Sequence, residues 1–240
     1  MPRVDTAMIM AAGLGTRMRP LTEDRPKPLV EVAGKTLLDH VMDKARLAQI
    51  GNVVVNVHYL PEQIEAHLAN HAQDLTVAIS DERDLLMETG GGLVKAEHMI
   101  EAEPFYCLNS DAIWTDEGDA DALSRLADAW DGERMDGLLL IVPRDRAHQH
   151  SGKGDFFLDE EGRLIRRGYH DSAPWIYTGN QLISHRLIRN APEGPFSTNL
   201  FWDRAIAEGR LFGLVHQGDW FDIGSPEAIV PTEAALAVHG

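Results

Sequence analysis

Short apolar runs alternate with apolar residues at helical spacing along the first 143 positions of the chain. The runs are four or five residues long and span 7–10, 53–57, 75–79, 105–108 and 138–142. Such runs are typical of strands that are buried on both faces of a sheet. Helical segments are expected between them at 36–48, 61–68, 92–100 and around 120–130. This alternation predicts an α/β fold, with a mostly parallel, Rossmann-like mixed sheet and helices on both faces.

The segment 144–179 has a different pattern. Three short strand candidates, 156–158, 164–166 and 175–177, are separated by glycine, aspartate and histidine. This spacing is typical of antiparallel strands rather than of another strand–helix–strand unit. We therefore expect a small antiparallel insertion within one domain that spans 1–240.

Bulk composition narrows the class of protein. The chain has 240 residues, of which 44% are hydrophobic, enough for the core of one large domain. The longest apolar runs fall far short of the roughly 20 residues that cross a membrane, and no signal peptide is evident. A single cysteine, Cys107, lies in an apolar run and cannot form an internal disulfide. These features predict a cytoplasmic protein without a membrane partner.

The net charge of −16 at pH 7 excludes a polyanionic partner. Long-range repulsion would oppose encounters with nucleic acid or an anionic membrane surface. Small phosphate compounds remain compatible with this charge.

The first apolar run leads directly into a loop of small residues, Ala11, Ala12, Gly13, Leu14, Gly15 and Thr16. A backbone that wraps phosphates needs residues without bulky side chains and with free dihedral choice. The loop lacks the G-K-[ST] ending of a Walker A motif, and Met18 stands where a dinucleotide fingerprint has its third glycine. Taken alone, a G-x-G after a strand is explained equally well by a structural turn.

The complete string AAGLGTRMRPLTEDRPKPL, residues 11–29, resembles the signature G-x-G-T-R-[LM]-x-P-L-(x)n-P-K-P-L of the sugar-1-phosphate nucleotidyltransferases. The resemblance implies that Ala11, Ala12, Gly13, Gly15 and Thr16 bind substrate phosphates. It also implies two catalytic cations, Arg17 over the leaving pyrophosphate and Lys27 at the phosphate of the reaction centre. The prolines at 26 and 28 stiffen the backbone that presents Lys27.

Two aspartates are candidate ligands for Mg²⁺, which prefers carboxylate oxygens. Asp111 follows the run 105–108, at the sheet edge where α/β proteins bind ligands, although a turn or helix cap would also explain it. Asp222 stands in WFDIGSP, where Ser225 and Pro226 would also suit a helix start. Both strings resemble metal-binding motifs of the family, and the resemblance implies that Asp111 and Asp222 hold Mg²⁺.

The resemblance also assigns substrate contacts. The stretch 88–92 is interpreted as a loop before the helix at 92–100, with Gly90 and Gly91 approaching the nucleobase and sugar through their amides. Asn109 is expected to fix the nucleotide or the acceptor. Three positions match those where relatives bind the acceptor sugar: Gly154, Asp155 and Gly179. The histidines 148, 150 and 170 lie in polar loops without metal-ligand spacing, and we expect them to be solvated.

One departure from the family pattern concerns the sugar phosphate. Many relatives carry an E-K-P triplet whose lysine holds it, whereas this chain has Arg166-Arg167-Gly168 and no such triplet. The sugar phosphate must therefore be held in another way.

The resemblance implies a Mg²⁺-dependent enzyme that joins a nucleoside triphosphate and a sugar 1-phosphate, with pyrophosphate released. Residues 1–143 would form the nucleotide-binding half, and 144–240 the sugar-binding insertion and the closing metal-binding segment. The strings METGGG, LNSDAIWTD, GKGDF and GDWFDIGSPE resemble those of bacterial uridylyltransferases of cell-wall sugar recycling, although none of them reads the base or the sugar by itself. We expect a monomer or a small homo-oligomer.

Alternatives remain open. Uracil, thymine, cytosine and guanine differ by a few hydrogen bonds, so a mannose-1-phosphate guanylyltransferase or a related enzyme is a second hypothesis. A catalytically silent subunit that binds nucleotide sugars is a third, although Arg17, Lys27 and both aspartates are present. An NAD-dependent oxidoreductase is disfavoured, because Asn56 and His58 stand where an acidic residue would hold the ribose.

Overall fold

The computed structural model describes residues 4–118 and 120–239. Strands of the first half are β1 (Thr6–Met10), β2 (Glu31–Val32), β3 (Lys35–Thr36), β4 (Asn52–Val57), β5 (Thr76–Asp81), β6 (Phe105–Asn109), β7 (Ala112–Trp114) and β8 (Gly137–Pro143). Those of the second half are β9 (Ala147–His148), β10 (Phe156–Leu158), β11 (Leu164–Arg166), β12 (Trp175–Ile183), β13 (Leu211–Val215) and β14 (Trp220–Asp222). The helices are α1 (Leu37–Leu47), α2 (Pro61–His71), α3 (Glu88–Ala96), α4 (Ala122–Ala129), α5 (His185–Ile188), α6 (Asn199–Ala207) and α7 (Ile229–His239).

Local sequence fixes where several helices begin. The Thr36 hydroxyl accepts a hydrogen bond of 3.1 Å from the backbone N–H of Asp39 at the start of α1. The Asp121 carboxylate caps α4 in the same way, through the N–H groups of Leu123 and Ser124. Pro61 opens α2, at a position where no helical N–H bond is lost.

One large mixed sheet organises the molecule, with strand order β11-β10-β12-β6-β1-β4-β5 and with β8 joined to β12 and β13. Strands β5, β4, β1 and β6 run parallel, so their carboxyl ends meet at one edge. Strand β12 runs antiparallel to both β6 and β8 and carries the second half of the chain into the sheet. The single-domain α/β fold that the sequence predicts is confirmed.

Helices cover both faces of this sheet, as the alternation of side chains along β1 shows. Ile9 packs into a core with α1, α2 and α4, while Met8 packs into a second core with α3 and α6. Both side chains are fully buried. A central strand with apolar residues on both faces is what the continuous apolar runs predict.

A third, smaller apolar cluster lies beneath the loop that follows β1. It joins that loop to β7, to β14 and to the C-terminal segment; its buried members are Met18, Val30, Val32, Leu37, Ile113, Phe221, Ile223 and Ala228. The cluster fixes residues from distant parts of the sequence in one place.

Two sequence-based boundaries were wrong. Helix α3 begins at Glu88, not at Gly92, and a 3₁₀ turn replaces it after Ala96, which leaves Met99 36% exposed rather than facing the core. The strand predicted at 175–177 continues as β12 to Ile183, because it pairs with β8 on both sides of a register shift between Tyr177 and Gln181 and its second part also pairs with β6. Helix α6 and strand β13 were not predicted.

Among the described residues, no helix combines the length and apolar character that a membrane span requires.

Replacing Leu139 by alanine tests the central packing. Leu139 is fully buried in β8, between β12 and β13. We expect Leu139→Ala to lower the free energy of unfolding by about 3 kcal/mol, because it removes buried methyl groups and leaves a cavity. Urea unfolding measures the change. Leu47→Ala in α1 is the matched control: Leu47 is 60% exposed, and its loss should change stability little.

The single cysteine offers a second test of the core. Burial raises the pKa of the Cys107 thiol to about 12. Only the thiolate reacts readily, so we expect no labelling of the native protein by a disulfide reagent at pH 8, and full labelling in denaturant. The unfolded chain loses this proton at about pH 8.5, so this thiol should lower stability as the pH rises above that value. Rapid labelling of the folded protein would contradict the buried placement.

Candidate active site

A cavity of about 410 Å³ opens at the carboxyl ends of the parallel strands. This is the edge at which open α/β sheets bind their ligands. Its walls come from the loop after β1, from β4, from the start of α3 and from the end of β6. The lining residues are Met10, Ala11, Ala12, Gly13, Lys27, Pro28, Asn56, Leu86, Glu88, Thr89, Asn109, Ser110, Asp111 and Ser197.

The loop after β1 has a backbone that requires glycine at one position. Gly15 adopts a left-handed conformation with φ of 62°, directly before the 3₁₀ turn Thr16–Met18. A Cβ atom there would lie 2.9 Å from Cβ of Lys27. The Thr22 hydroxyl donates to the Gly15 carbonyl at 2.8 Å and closes the loop. Ala11, Ala12 and Gly13 line the cavity, whereas Gly15 and Thr16 lie further along the loop.

Lys27 and Asp111 form an ion pair at the mouth of this cavity. The lysine Nζ lies 2.8 Å from Asp111 Oδ2, and the lysine side chain is only 11% exposed against 35% for the aspartate. Pro26 and Pro28 flank the lysine at the start of the 3₁₀ turn Lys27–Leu29, so its backbone is held before any ligand binds. Two residues 84 positions apart are thereby brought together.

Asp222 lies beside Asp111 because β14 pairs with β7. In this register Asp222 is opposite Ala112, and the N–H of Ile223 donates to the Asp111 carbonyl at 3.3 Å. Phe221 and Ile223 are both buried in the third cluster. Since side chains alternate along a strand, Asp222 points away from that cluster. This explains why an aspartate stands between two apolar residues.

Arg17 is exposed and lies next to this carboxylate. A Cβ atom on Gly224 would lie 3.2 Å from Arg17 Nη1 and also 3.2 Å from Asp222 Oδ1. The guanidinium and the carboxylate therefore both lie close to Gly224, in space that a side chain there would enter. Arg17, Lys27, Asp111 and Asp222 thus lie in one region, which the structure assembles from three separate parts of the sequence.

Two of the three histidines that were expected to be solvated are only partly exposed and have side-chain partners that sequence analysis missed. His150 Nδ1 lies 2.9 Å from Asp222 Oδ2, and its ring meets the edge of Trp220. His148 Nε2 lies 2.8 Å from Asp219 Oδ1, and its ring stacks on Phe221. Their partners are about 70 positions away along the chain, which is why the local polarity of their loop was misleading. His170 is exposed, as expected.

The start of the C-terminal segment also differs from the cap interpretation. Pro226 occupies the first position of the 3₁₀ turn Pro226–Ala228, but the Ser225 side chain does not cap that turn. The segment is anchored instead through Ile223 and Ala228 in the third cluster.

A buried hydrogen-bonded network that sequence analysis missed holds the loop against α3. Asn56 accepts a bond of 2.7 Å from the N–H of Ala11 and donates at 2.8 Å to Glu82 Oε1. Glu82 Oε2 accepts from the N–H of Met87 at 3.0 Å. Both side chains are almost fully buried, and buried polar groups of this kind fix the geometry of their surroundings. Asn56 is a polar residue near the end of the apolar strand β4, which was the available signal, whereas the sequence around Glu82 gave none.

The triple glycine lies inside the first turns of α3 rather than before it. The N–H groups of Gly90 and Gly91 both donate to the Phe196 carbonyl, at 2.8 and 3.1 Å. A Cβ atom on Gly90 would lie 2.5 Å from the Phe196 ring, and one on Gly92 would lie 2.9 Å from Glu82 Oε1. The glycines thus allow close packing, which overrides their poor helix propensity. Their amides are engaged in this structure, and the cavity wall is formed by Glu88 and Thr89.

The residues expected at the acceptor sugar fall into two groups. Gly179 lies in the irregular part of β12 with φ of 88°, and a Cβ atom there would lie 2.9 Å from Asn109, which lines the cavity. Gly154 and Asp155 instead stabilise the insertion. Gly154 has a φ of 87°, and a Cβ atom there would clash with the Ala173 carbonyl oxygen. Asp155 Oδ2 accepts a hydrogen bond of 2.9 Å from the N–H of Tyr177. Neither of these two lines the cavity.

The two arginines that replace the E-K-P triplet are engaged elsewhere. Arg166 pairs with Asp203 at 2.8 Å and lies over the ring of Trp202. Arg167 donates to the carbonyls of Gly154 and His170. Both arginines therefore stabilise the fold of the insertion and its contact with α6.

The donor set suits a hard divalent cation. Asp111 and Asp222 offer carboxylate oxygens at neighbouring positions of paired strands, and carboxylate is the ligand that Mg²⁺ prefers. One carboxylate oxygen of Asp111 is paired with Lys27, and one carboxylate oxygen of Asp222 is paired with His150. Each carboxylate has a second oxygen, so the residues present fit such an ion.

Comparison with known proteins identifies the same family that the sequence motifs resemble. Residues 6–164 match the model of the nucleotidyl transferase family. The chain is 42% identical over 234 residues to the N-acetylmuramate alpha-1-phosphate uridylyltransferase of Caulobacter vibrioides, covering 96% of each chain. It is 30% identical to the protein of that name from Neisseria meningitidis, over 91% of this chain and 93% of that one.

Among solved structures, a UDP-glucose pyrophosphorylase complexed with UDP-glucose superposes with a TM-score of 0.81 at 15% identity, over 99% of this chain and 100% of that one. At this identity the likeness shows a shared fold. Together with the sequence matches, it establishes that the chain belongs to the sugar-1-phosphate nucleotidyltransferases, enzymes of nucleotidyl transfer.

Proposed function

We propose that the protein transfers a uridylyl group from UTP to N-acetylmuramic acid α-1-phosphate, giving the UDP-sugar and pyrophosphate, in cytoplasmic recycling of peptidoglycan. The observation that carries the reaction type is the cavity mouth, where Lys27 is paired with Asp111 and Asp222 lies beside it. The choice of UTP and of this sugar is supported by two relatives of that name, one of them 42% identical over almost the whole of both chains.

In the proposed reaction a phosphate oxygen of the sugar 1-phosphate attacks the α-phosphorus of the triphosphate in line, and the bond to the pyrophosphate breaks. The acceptor phosphate is already ionised at pH 7, so no protein nucleophile is required. Catalysis then consists of positioning and of charge neutralisation.

The proposed roles on the triphosphate side come from the family resemblance and are compatible with the positions of the residues. The backbone of Ala11, Ala12, Gly13, Gly15 and Thr16 would surround the phosphates. Lys27 would contact the reacting phosphate, and Arg17 would cover the leaving pyrophosphate. Asp111 and Asp222 would hold Mg²⁺, which supplies charge neutralisation and orients the phosphates when bound.

The remaining substrate contacts are divided between the two halves of the chain. Residues 1–143 would bind the nucleotide, with Gly90 and Gly91 near the base and ribose once their bonds to Phe196 rearrange. Residues 144–240 would bind the sugar and close the metal site. Gly154, Asp155 and Gly179 would shape the acceptor side, together with Asn109. We propose a monomer or small homo-oligomer that does not use nucleic acid or a membrane as a partner.

A substrate panel tests the proposed specificity. Purified protein would be given UTP, dTTP, CTP or GTP, each with N-acetylmuramic acid α-1-phosphate, N-acetylglucosamine 1-phosphate, glucose 1-phosphate or mannose 1-phosphate, and pyrophosphate release would be measured. We expect the highest kcat/KM for UTP with the muramic acid derivative. A preference for GTP and mannose 1-phosphate would support the guanylyltransferase hypothesis. No release with any pair would support a silent subunit.

Asp111→Asn tests the metal assignment. The amide keeps the size of the side chain and removes its charge, so we expect kcat to fall by about 10³-fold, equivalent to several kcal/mol of lost electrostatic stabilisation. The melting temperature should fall as well, because the neutral amide leaves the largely buried Lys27 ammonium without a charged partner, so kcat is compared well below the melting temperature of the variant. Asp43→Asn in α1 is the matched control, because Asp43 pairs with Lys35 at the surface and is 42% exposed. Near-normal turnover of Asp111→Asn would overturn the assignment.

A further inference from the structure

Helices α1 and α2 bring together an aspartate and two histidines that the proposed reaction does not use. Asp39 lies in the first turn of α1, and His67 and His71 lie one turn apart on α2. One potential ligand atom from each residue lies within 4.8 Å of the others. The cavity described above is lined by other residues.

The two imidazole rings are aligned as a pair. Their centroids are 4.3 Å apart and their planes differ by 9°. Parallel rings have parallel in-plane lone pairs, so the exposed ring of His71 must turn before both imidazoles can direct a nitrogen at one ion. Histidines four residues apart on one helix face are a recurrent pair of metal ligands.

The carboxylate is held in place by its own helix. The Thr36 hydroxyl donates to Asp39 Oδ2 at 2.7 Å, which leaves Oδ1 directed at His67 Nε2, 2.9 Å away. Asp39 Oδ1 is therefore oriented towards His67 with the help of a neighbouring side chain, as metal-binding carboxylates commonly are.

An ion pair between Asp39 and His67 would account for two of the three residues. It does not account for the stacking of His71, which is exposed, on the ring of His67, whose side chain is 13% exposed. Solvent reaches the group from the side of His71. The arrangement is therefore open on one side, where a water molecule can complete a coordination shell.

We propose that Asp39, His67 and His71 bind one divalent transition-metal ion, with zinc as the best fit, and that the ion joins α1 to α2. Two imidazole nitrogens and one carboxylate oxygen suit zinc and disfavour magnesium, which prefers oxygen ligands. Tetrahedral zinc with bonds of about 2.0–2.1 Å separates its ligand atoms by about 3.3 Å. The ligand atoms now lie within 4.8 Å of one another, so binding would draw the wider separations together and replace the 2.9 Å hydrogen bond between His67 and Asp39.

Zinc titration of the untagged full-length protein tests this site. Isothermal titration calorimetry in saturating Mg²⁺ would compare the wild type with His71→Gln and Asp39→Asn. We expect each variant to bind one zinc equivalent less than the wild type. Zinc should raise the melting temperature of the wild type more than that of either variant. His98→Gln, an exposed histidine in the turn after α3, is the matched control and should keep full binding.

Cobalt(II) provides a spectroscopic readout that a merely structural role would not change. We expect the wild type to develop visible absorption bands of tetrahedral Co²⁺, and His71→Gln to lose them while its circular dichroism and metal-free melting temperature stay unchanged. His150→Gln distinguishes the other candidate group, Asp111, Asp222 and His150. Equal zinc stoichiometry in wild type and His71→Gln would overturn the proposal. So would loss of the zinc equivalent in His150→Gln alone.

Discussion

The ion pair between Lys27 and Asp111 is the contact on which the arrangement of the cavity mouth depends. A lysine side chain that is 11% exposed loses most of its hydration, and an ionised partner at 2.8 Å offsets that loss. The pair ties the proline-flanked end of the loop after β1 to the end of β6. Since this contact is already formed without ligands, the site is organised in advance for a highly charged substrate.

Apolar packing decides where the second carboxylate lies. Phe221 and Ile223 are buried with Met18 and Val30 in the cluster beneath the loop, and the strand between them presents Asp222 on its other face. The loop and the closing segment thus share one small core. A change in that core would move Arg17 and Asp222 together, because both are attached to it through immediate neighbours in sequence.

The third support of the cavity is polar and buried. The Asn56 side chain accepts a hydrogen bond from the N–H of Ala11 and donates one to the Glu82 carboxylate. That carboxylate also accepts a hydrogen bond from the N–H of Met87, at the start of α3. The close approach of Gly92 to this carboxylate leaves no room for a side chain. Loop, central strand and helix therefore keep a fixed spacing, which a fully satisfied network provides more specifically than apolar contacts do.

Strong hydrophobic periodicity and a continuous motif were sufficient to predict much of the structure from the sequence. Apolar runs predicted β1, β4, β6 and β8 because a strand buried on both faces needs them, and the prolines around Lys27 identified its segment by their effect on the backbone. Asp111 and Asp222 were selected as candidates, and the structure brings them together. Their roles in catalysis stay predictions.

Tertiary contacts decided the rest, because they join residues whose local sequence carries no signal of their partner. The glycines of α3 disfavour a helix locally, and packing against Phe196 and Glu82 makes the helix possible. His150 finds Asp222 across 72 positions, and His67 finds Asp39 across 28. The sequence by itself determined the main strands of the parallel half and the family that the loop indicates. Only the folded chain determined which polar side chains meet, since that depends on distances in space rather than along the chain.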